Sequence, residues 1–153
     1  MLHLALIFLH FLSSPLTGIP VETIDIDNPR YQLVTKAKSL IGSPYRYSGS
    51  TAKGFDCSGF TQYVYKSALD IKLKRSSDGQ ATLGKKVKPK NAIPGDLIFF
   101  KKKGKIFHVA LIVENKSDKL IVIHATSSKG VILEDLNKSQ YWKQKKSLIK
   151  RII

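Results

Sequence analysis

Gly54-Phe55-Asp56-Cys57-Ser58-Gly59-Phe60-Thr61-Gln62-Tyr63-Val64-Tyr65 holds the only cysteine of the chain and marks the point where a loop turns into a helix. Asp56 is a favoured N-cap residue type, and apolar side chains recur at 60, 64 and 68, with 63 beside them, at helical spacing. From Phe60 to Leu69 there is neither Pro nor Gly. The stretch therefore predicts a helix with Cys57 in its first turn. A thiol in that place faces unpaired backbone N–H groups and the positive end of the helix dipole, which favour the thiolate that attacks carbonyl carbon. The competing reading of a lone cysteine is a small buried hydrophobe. Flanking glycines and a polar Asp-Cys-Ser step suit a core position poorly, so the nucleophile is preferred.

Working outward, Gly42 to Ser50 is a run of turn formers and aromatics that cannot continue a helix. Before it, Asn28-Pro29 is a cap followed by a first-turn proline, and Leu33, Ala37, Leu40 and Ile41 supply one apolar stripe that Gly42 ends. Residues 2–12 form an apolar run, too short to cross a bilayer comfortably, closed by Ser13-Ser14-Pro15. This predicts a signal peptide over residues 1–18 and export, although no Lys or Arg precedes the run and no Ala-x-Ala site follows. An uncleaved anchor and a mis-assigned start are the alternatives. No cysteine lies nearby, so a lipid-anchored N-terminus is not expected. Residues 19–27 read as a linker and 28–153 as one domain.

Downstream, Arg75 to Gln80 reads as a loop entering a short helix that ends near Gly84. The period then changes to two. The turn Ala92-Ile93-Pro94-Gly95-Asp96 delivers Leu97 to Phe100 as a strand, and 106–113, 120–125, 131–136 and 148–152 are further strands. Helices first and strands second, without βαβ alternation, predict an α+β fold: N-terminal helices packed on an antiparallel sheet of about five to six strands.

Apolar content of 42% and charged content of 24% belong to a globular chain. A single cysteine excludes an intrachain disulfide framework and a multi-cysteine metal site. The 26 basic residues against 11 acidic ones leave a net charge of +15, with eight lysines between Gly84 and Lys105 against one acid, Asp96. Such a field attracts polyanions, among them the anionic polymers of a cell envelope. Nucleic acid is not expected as a partner, because charge alone speaks for it and no helix or aromatic platform is arranged for it.

Strands 106–113 and 120–125 carry His108 and His124. A hairpin centred on Lys116 pairs residues whose numbers sum to 232, so Ile112 faces Leu120, Ala110 faces Val122 and His108 faces His124. Opposed side chains share one face, which brings the two imidazoles together. A slip of one residue would separate them. A thiol nucleophile needs a base, and the base needs an orienting partner, so Cys57, His108 and His124 make a candidate catalytic set. Zinc is the rival use of two histidines, with Cys57 as a third ligand, but no His-x-x-x-His or Cys-x-x-Cys pair supports it. The remaining histidines, His3 and His10, fall in the signal segment.

These residues resemble the NlpC-type family of papain-like bacterial cell-wall cysteine peptidases. The likeness runs from about Asn28 to Ile152 through Pro44-Tyr45-Arg46-Tyr47, Gly54 to Phe60, Arg75-Ser76 with Gln80, Pro94-Gly95-Asp96-Leu97, His108-Val109-Ala110 and His124-Ala125. Pro44 to Phe60 and Tyr141-Trp142-Lys143 look closest to murein DD-endopeptidases of the MepS type. The resemblance implies Cys57 as nucleophile, His108 as base and His124 as its orienter. It also implies an oxyanion site formed by the Tyr45 hydroxyl with the backbone N–H of Cys57. It implies that Asp56, Ser58, Arg75, Ser76 and Gln80 line or support the substrate cleft. No cofactor or metal is implied. The expected substrate is a peptidoglycan stem peptide, cut at the D-alanyl–meso-diaminopimelate cross-link or at the γ-D-glutamyl–diamino acid bond, by a monomer in the periplasm or cell envelope. A non-catalytic wall-binding module is the reading from a different class.

Overall fold

The computed structural model describes residues 25–153, so the signal segment and residues 19–24 of the linker lie outside the described residues. Helix α1 spans Pro29–Lys38, with Asn28 accepting from the Arg30 N–H and the proline in the first turn. It stops short of the expected Gly42. Residues 39–42 form turns instead, and Leu40 still reaches the core from there. Two short strands, β1 (Ser50–Thr51) and β2 (Gly54–Phe55), precede helix α2 (Cys57–Leu69). Helix α3 (Ser77–Ala81) follows. The remaining elements are strand β3 (Lys85–Val87), a single 3-10 turn (Pro89–Asn91), strands β4 (Leu97–Lys102), β5 (Lys105–Asn115), β6 (Leu120–Thr126) and β7 (Gly130–Asp135), a short helix α4 (Gln140–Lys143), and β8 (Lys146–Arg151).

Six strands form one antiparallel sheet in the order β3-β8-β4-β5-β6-β7, as the change of period implies. Strand β3 was not expected. Its Lys85-Lys86-Val87 has no alternating pattern, and pairing with β8 fixes it. Side chains on the two faces enter separate cores. Phe99, Val109, Leu111, Ile123 and Val131 pack with Leu33 and Ala37 of α1 and Phe60 and Val64 of α2. Phe100, Ala110, Ile112, Val122 and Ile149 form the second cluster on the other face.

One buried carboxylate ties α1 to β8. Asp96 is fully buried, accepts from the Ile93 N–H at 3.0 Å, and takes Arg151 at 2.9 and 2.8 Å and Arg30 at 3.2 Å. Two guanidinium groups and a backbone donor satisfy a charge that would otherwise be very costly to bury. The Tyr65 hydroxyl donates to the neighbouring Gly95 carbonyl at 2.6 Å, fixing α2 to the same turn.

The β5–β6 hairpin departs from the symmetric register. Its turn is Ser117-Asp118, with Lys116 and Lys119 exchanging backbone hydrogen bonds, so the first pairs sum to 235 (Asn115 with Leu120, Glu114 with Ile121). A bulge at Val113 then changes the sum to 234, pairing Ile112 with Val122 and Leu111 with Ile123. The expected sum of 232 is corrected by two. Because the shift is even, His108 and His124 still share a face, as diagonal rather than direct neighbours. An unbulged ladder from the same turn would keep the odd sum and put the rings on opposite faces.

Candidate active site

The β5–β6 ladder ends at Leu111–Ile123, while β5 remains paired to β4 through His108 and β6 remains paired to β7 through Thr126. The sheet opens between them, and the mouth of α2 sits at this opening. Asp56 accepts from the Gly59 N–H at 2.7 Å as the N-cap, which starts the helix with Cys57 in its first turn as the sequence predicts. The Val109 N–H is directed at the Cys57 sulfur, joined by the N–H groups of Ser58 and Cys57 itself.

Cys57, His108, Tyr45, Glu134 and Trp142 line one cleft of about 440 Å³. Behind the cleft wall, His108 Nε2 lies 2.9 Å from His124 Nδ1, and His124 Nε2 lies 2.9 Å from Glu134 Oε2. The three side chains run diagonally across neighbouring strands: Ile132 faces His124 in the β6–β7 ladder, and Glu134 is two residues further along β7 on the same face. The two imidazoles address each other nitrogen to nitrogen instead of a common centre. Among the described residues, no group of three or more His, Cys, Asp or Glu side chains is arranged to hold a metal.

An aromatic wall shields the rings. Trp142 of α4 stacks on His108 with centroids 4.4 Å apart and meets His124 edge-on at 5.3 Å. Phe107 lies 6.1 Å from both Trp142 and His108, nearly parallel to the indole, and Phe100 packs against His108. Burial holds His108 well below its ordinary pKa of 6.5, and nearby His124 adds to the effect. His124 is also lowered by burial, against the opposing pull of Glu134. The expectation of a readily ionised thiol needs correction. Burial, with the Asp56 carboxylate adding, pushes the Cys57 thiol above its ordinary value despite the three N–H groups at the helix mouth. Desolvation of the anion outweighs the favourable dipoles. The resting pair is thus a neutral thiol and a neutral imidazole.

Tyr45 is held beside the cysteine by backbone hydrogen bonds and by packing against the core. The Phe55 N–H donates to the Pro44 carbonyl and the Arg46 N–H to the Phe55 carbonyl, bridging Tyr45 to the strand that leads into Asp56. The β6–β7 turn braces the other side of this bend. The Val131 N–H donates to the Ser43 carbonyl, and a Cβ at Gly130 (φ +69°) would come 2.3 Å from that oxygen. Burial and the nearby Cys57 raise the Tyr45 hydroxyl, leaving it a neutral donor.

The five other predicted residues stand behind the cysteine, outside the cleft lining. Arg75 grips Asp56 through both oxygens at 2.9 and 2.6 Å and also donates to the Gly49 carbonyl and the Ser58 hydroxyl. Ser58 is buried. Ser76 caps α3, accepting from the Gly79 N–H. Gln80 is fully buried, so direct substrate contact is corrected to a strut: its amide donates to the Ser58 and Lys74 carbonyls at 2.9 Å each and accepts from Thr61 at 2.7 Å. Glu134 was missed by sequence reasoning. Symmetric counting about Ser128 of the following hairpin would have placed it on the same face as His124. Trp142 entered only as part of the family likeness, because its contact with His108 joins distant parts of the chain.

Residues 42–151 match the NlpC/P60 family. The chain is 43% identical over 126 residues to the γ-DL-glutamyl hydrolase of Bacillus subtilis, covering 79% of this chain and 29% of that protein. It is 36% identical over 112 residues to the murein DD-endopeptidase MepS/murein LD-carboxypeptidase of Escherichia coli, covering 73% of this chain and 57% of that one. The chain therefore spans under two thirds of either relative. Among solved structures, an NlpC/P60 family protein from Bacillus cereus superposes with a TM-score of 0.73 at 31% identity, over 80% of this chain and 40% of that one. The NlpC/p60 domain of the peptidoglycan hydrolase SagA gives 0.69 at 28% identity, over 80% and 97%. A helix-mouth cysteine facing a histidine pair across an opened antiparallel sheet, together with this match over most of its length, places the chain in the NlpC/P60 family.

Proposed function

We propose that the protein is a cysteine peptidase that hydrolyses an amide bond of peptidoglycan stem peptides through a thioester on Cys57. The observation that carries this reading is the convergence of Cys57, His108 and Tyr45 on one cleft, with His124 hydrogen-bonded behind His108. His108 Nδ1 is the ring nitrogen left for the thiol. It takes the proton as sulfur attacks the carbonyl carbon, and the resulting oxyanion is held by the Cys57 N–H and the Tyr45 hydroxyl. The imidazolium returns the proton to the leaving amine as the C–N bond breaks. His108 then activates water, which hydrolyses the thioester and restores the thiol.

The D-alanyl–meso-diaminopimelate cross-link is the first choice of bond. The second is the γ-D-glutamyl–diamino acid bond, favoured by the 43% identity to a γ-DL-glutamyl hydrolase. Digestion of purified muropeptides, followed by mass spectrometry, separates them: dimers become monomers in the first case and monomers lose part of the stem in the second. Cys57→Ala is expected to remove all turnover while preserving the fold. Failure of folded, reduced protein to cut any muropeptide overturns the reading.

The enzyme is proposed to be exported and to act as a monomer, and its net charge of +15 supports retention on anionic envelope polymers. Retention on purified sacculi should fall as salt rises, and binding unchanged at high salt refutes this role.

A further inference from the structure

We infer that Glu134 is a positioning residue that fixes the proton pattern of the two histidines, leaving His108 with its free lone pair on Nδ1. The inference rests on the reaction proposed above, but the proton pattern itself can be measured without any substrate.

The proton pattern is set from the carboxylate inward. An ionised Glu134 only accepts hydrogen bonds, so the 2.9 Å contact at Oε2 requires the proton of His124 to sit on Nε2. Neutral His124 then presents a lone pair at Nδ1. The 2.9 Å contact between the rings accordingly requires His108 to donate from Nε2. Neutral His108 has one proton, so Nδ1 is bare and able to receive the thiol proton.

Without the carboxylate the pattern loses its anchor. His124 is fully buried, and its polar contacts among the described residues are His108 on one side and Glu134 on the other. Trp142 and the sheet hold the rings in place but have no preference between tautomers. With Glu134 gone, His124 is free to carry its proton on Nδ1 and donate it to His108 Nε2. His108 would then carry its own proton on Nδ1, and the base would face the thiol already protonated. A tautomer error of this kind leaves the geometry intact and disables the base.

The test is nitrogen-15 NMR of the full chain labelled at histidine, near neutral pH, read for the protonated and bare nitrogen of each ring. The wild type is expected to show both His108 and His124 as Nε2–H tautomers. Glu134→Ala should convert His124 at least partly to the Nδ1–H form, with His108 following. Glu134→Gln, whose amide can either accept or donate, should give a mixture. Where cleavage is observed, kcat for Glu134→Ala should fall about 10²-fold with KM little changed. An Nδ1–H tautomer of His124 in the wild type, or a tautomer pattern unchanged in both folded variants, overturns the inference. Because this readout needs no turnover, a wrong substrate assignment and a wrong role for Glu134 are told apart.

Discussion

Gly59 of α2 lies so close to the backbone of Gly49 that a Cβ on Gly59 would come 2.0 Å from the Gly49 carbonyl oxygen. The contact seats the helix mouth against the loop that follows Tyr45. Alanine is the better helix former by up to about 1 kcal/mol. Here the clash decides, because its neighbour is backbone and cannot turn aside. Gly59→Ala is expected to destabilise the fold by about 2–4 kcal/mol in chemical denaturation. A stability equal to wild type would mean that helix and loop are not in contact.

Tyr45 lines the cleft beside Cys57 with its hydroxyl in the neutral, donating form. Tyr45→Phe keeps the ring and its packing. It should lower kcat by about 10²-fold, the usual loss for one oxyanion donor, with KM nearly constant. A packing role alone would leave kcat within a few-fold of wild type.

Ionisation should show three signatures. His108 must be neutral to act as base, and its pKa lies below 6.5 in the fold, so the acid limb of kcat/KM is expected below that pH. The same depression costs stability in acid. The unfolded chain binds this proton near pH 6.5 while the folded chain resists it, so stability is full above that pH and falls below it, by up to about 1.4 kcal/mol per pH unit. Melting curves across this range should show the decline, and His108→Phe should make it shallower, leaving the part that His124 contributes. Alkylation of Cys57 should accelerate only above its ordinary pKa of 9.0, and a fast reaction at pH 6 would contradict the neutral resting pair.

Gln80 bridges Ser58, Thr61 and Lys74 from a fully buried position. Gln80→Leu takes the amide away from the Ser58 and Lys74 carbonyls and from the Thr61 hydroxyl, leaving only the contact of Thr61 with the Ser58 carbonyl at 3.1 Å. The expected cost is about 2–4 kcal/mol of stability, read by urea denaturation. A substrate contact would instead raise KM at unchanged stability.

Much of this arrangement was legible from local chemistry. Asp56 and the apolar spacing at 60, 64 and 68 marked α2 and the place of its cysteine, because capping and helical period are encoded within a dozen residues. The four Leu97–Phe100 residues and the alternating runs after them marked the sheet. The hairpin register was missed by two, since it depends on a Ser117-Asp118 turn and a bulge that composition does not announce. The raised thiol was missed for a different reason. Its environment is set by what the folded sheet excludes from the helix mouth, and no neighbour in sequence carries that information. Gln80 illustrates the same gap: a polar residue near a motif suggests a ligand contact, and only packing reveals it as a strut.

The Val113 bulge bears on how this hairpin can drift over time. It acts as slack in the strand, absorbing the one-residue mismatch between a tight turn and the pairing of Ile112 with Val122. Losing that residue would straighten the ladder above the pair without moving the rings below it. A one-residue change in β5 beyond Ile112 can therefore be taken up without turning the two imidazoles to opposite sides of the sheet.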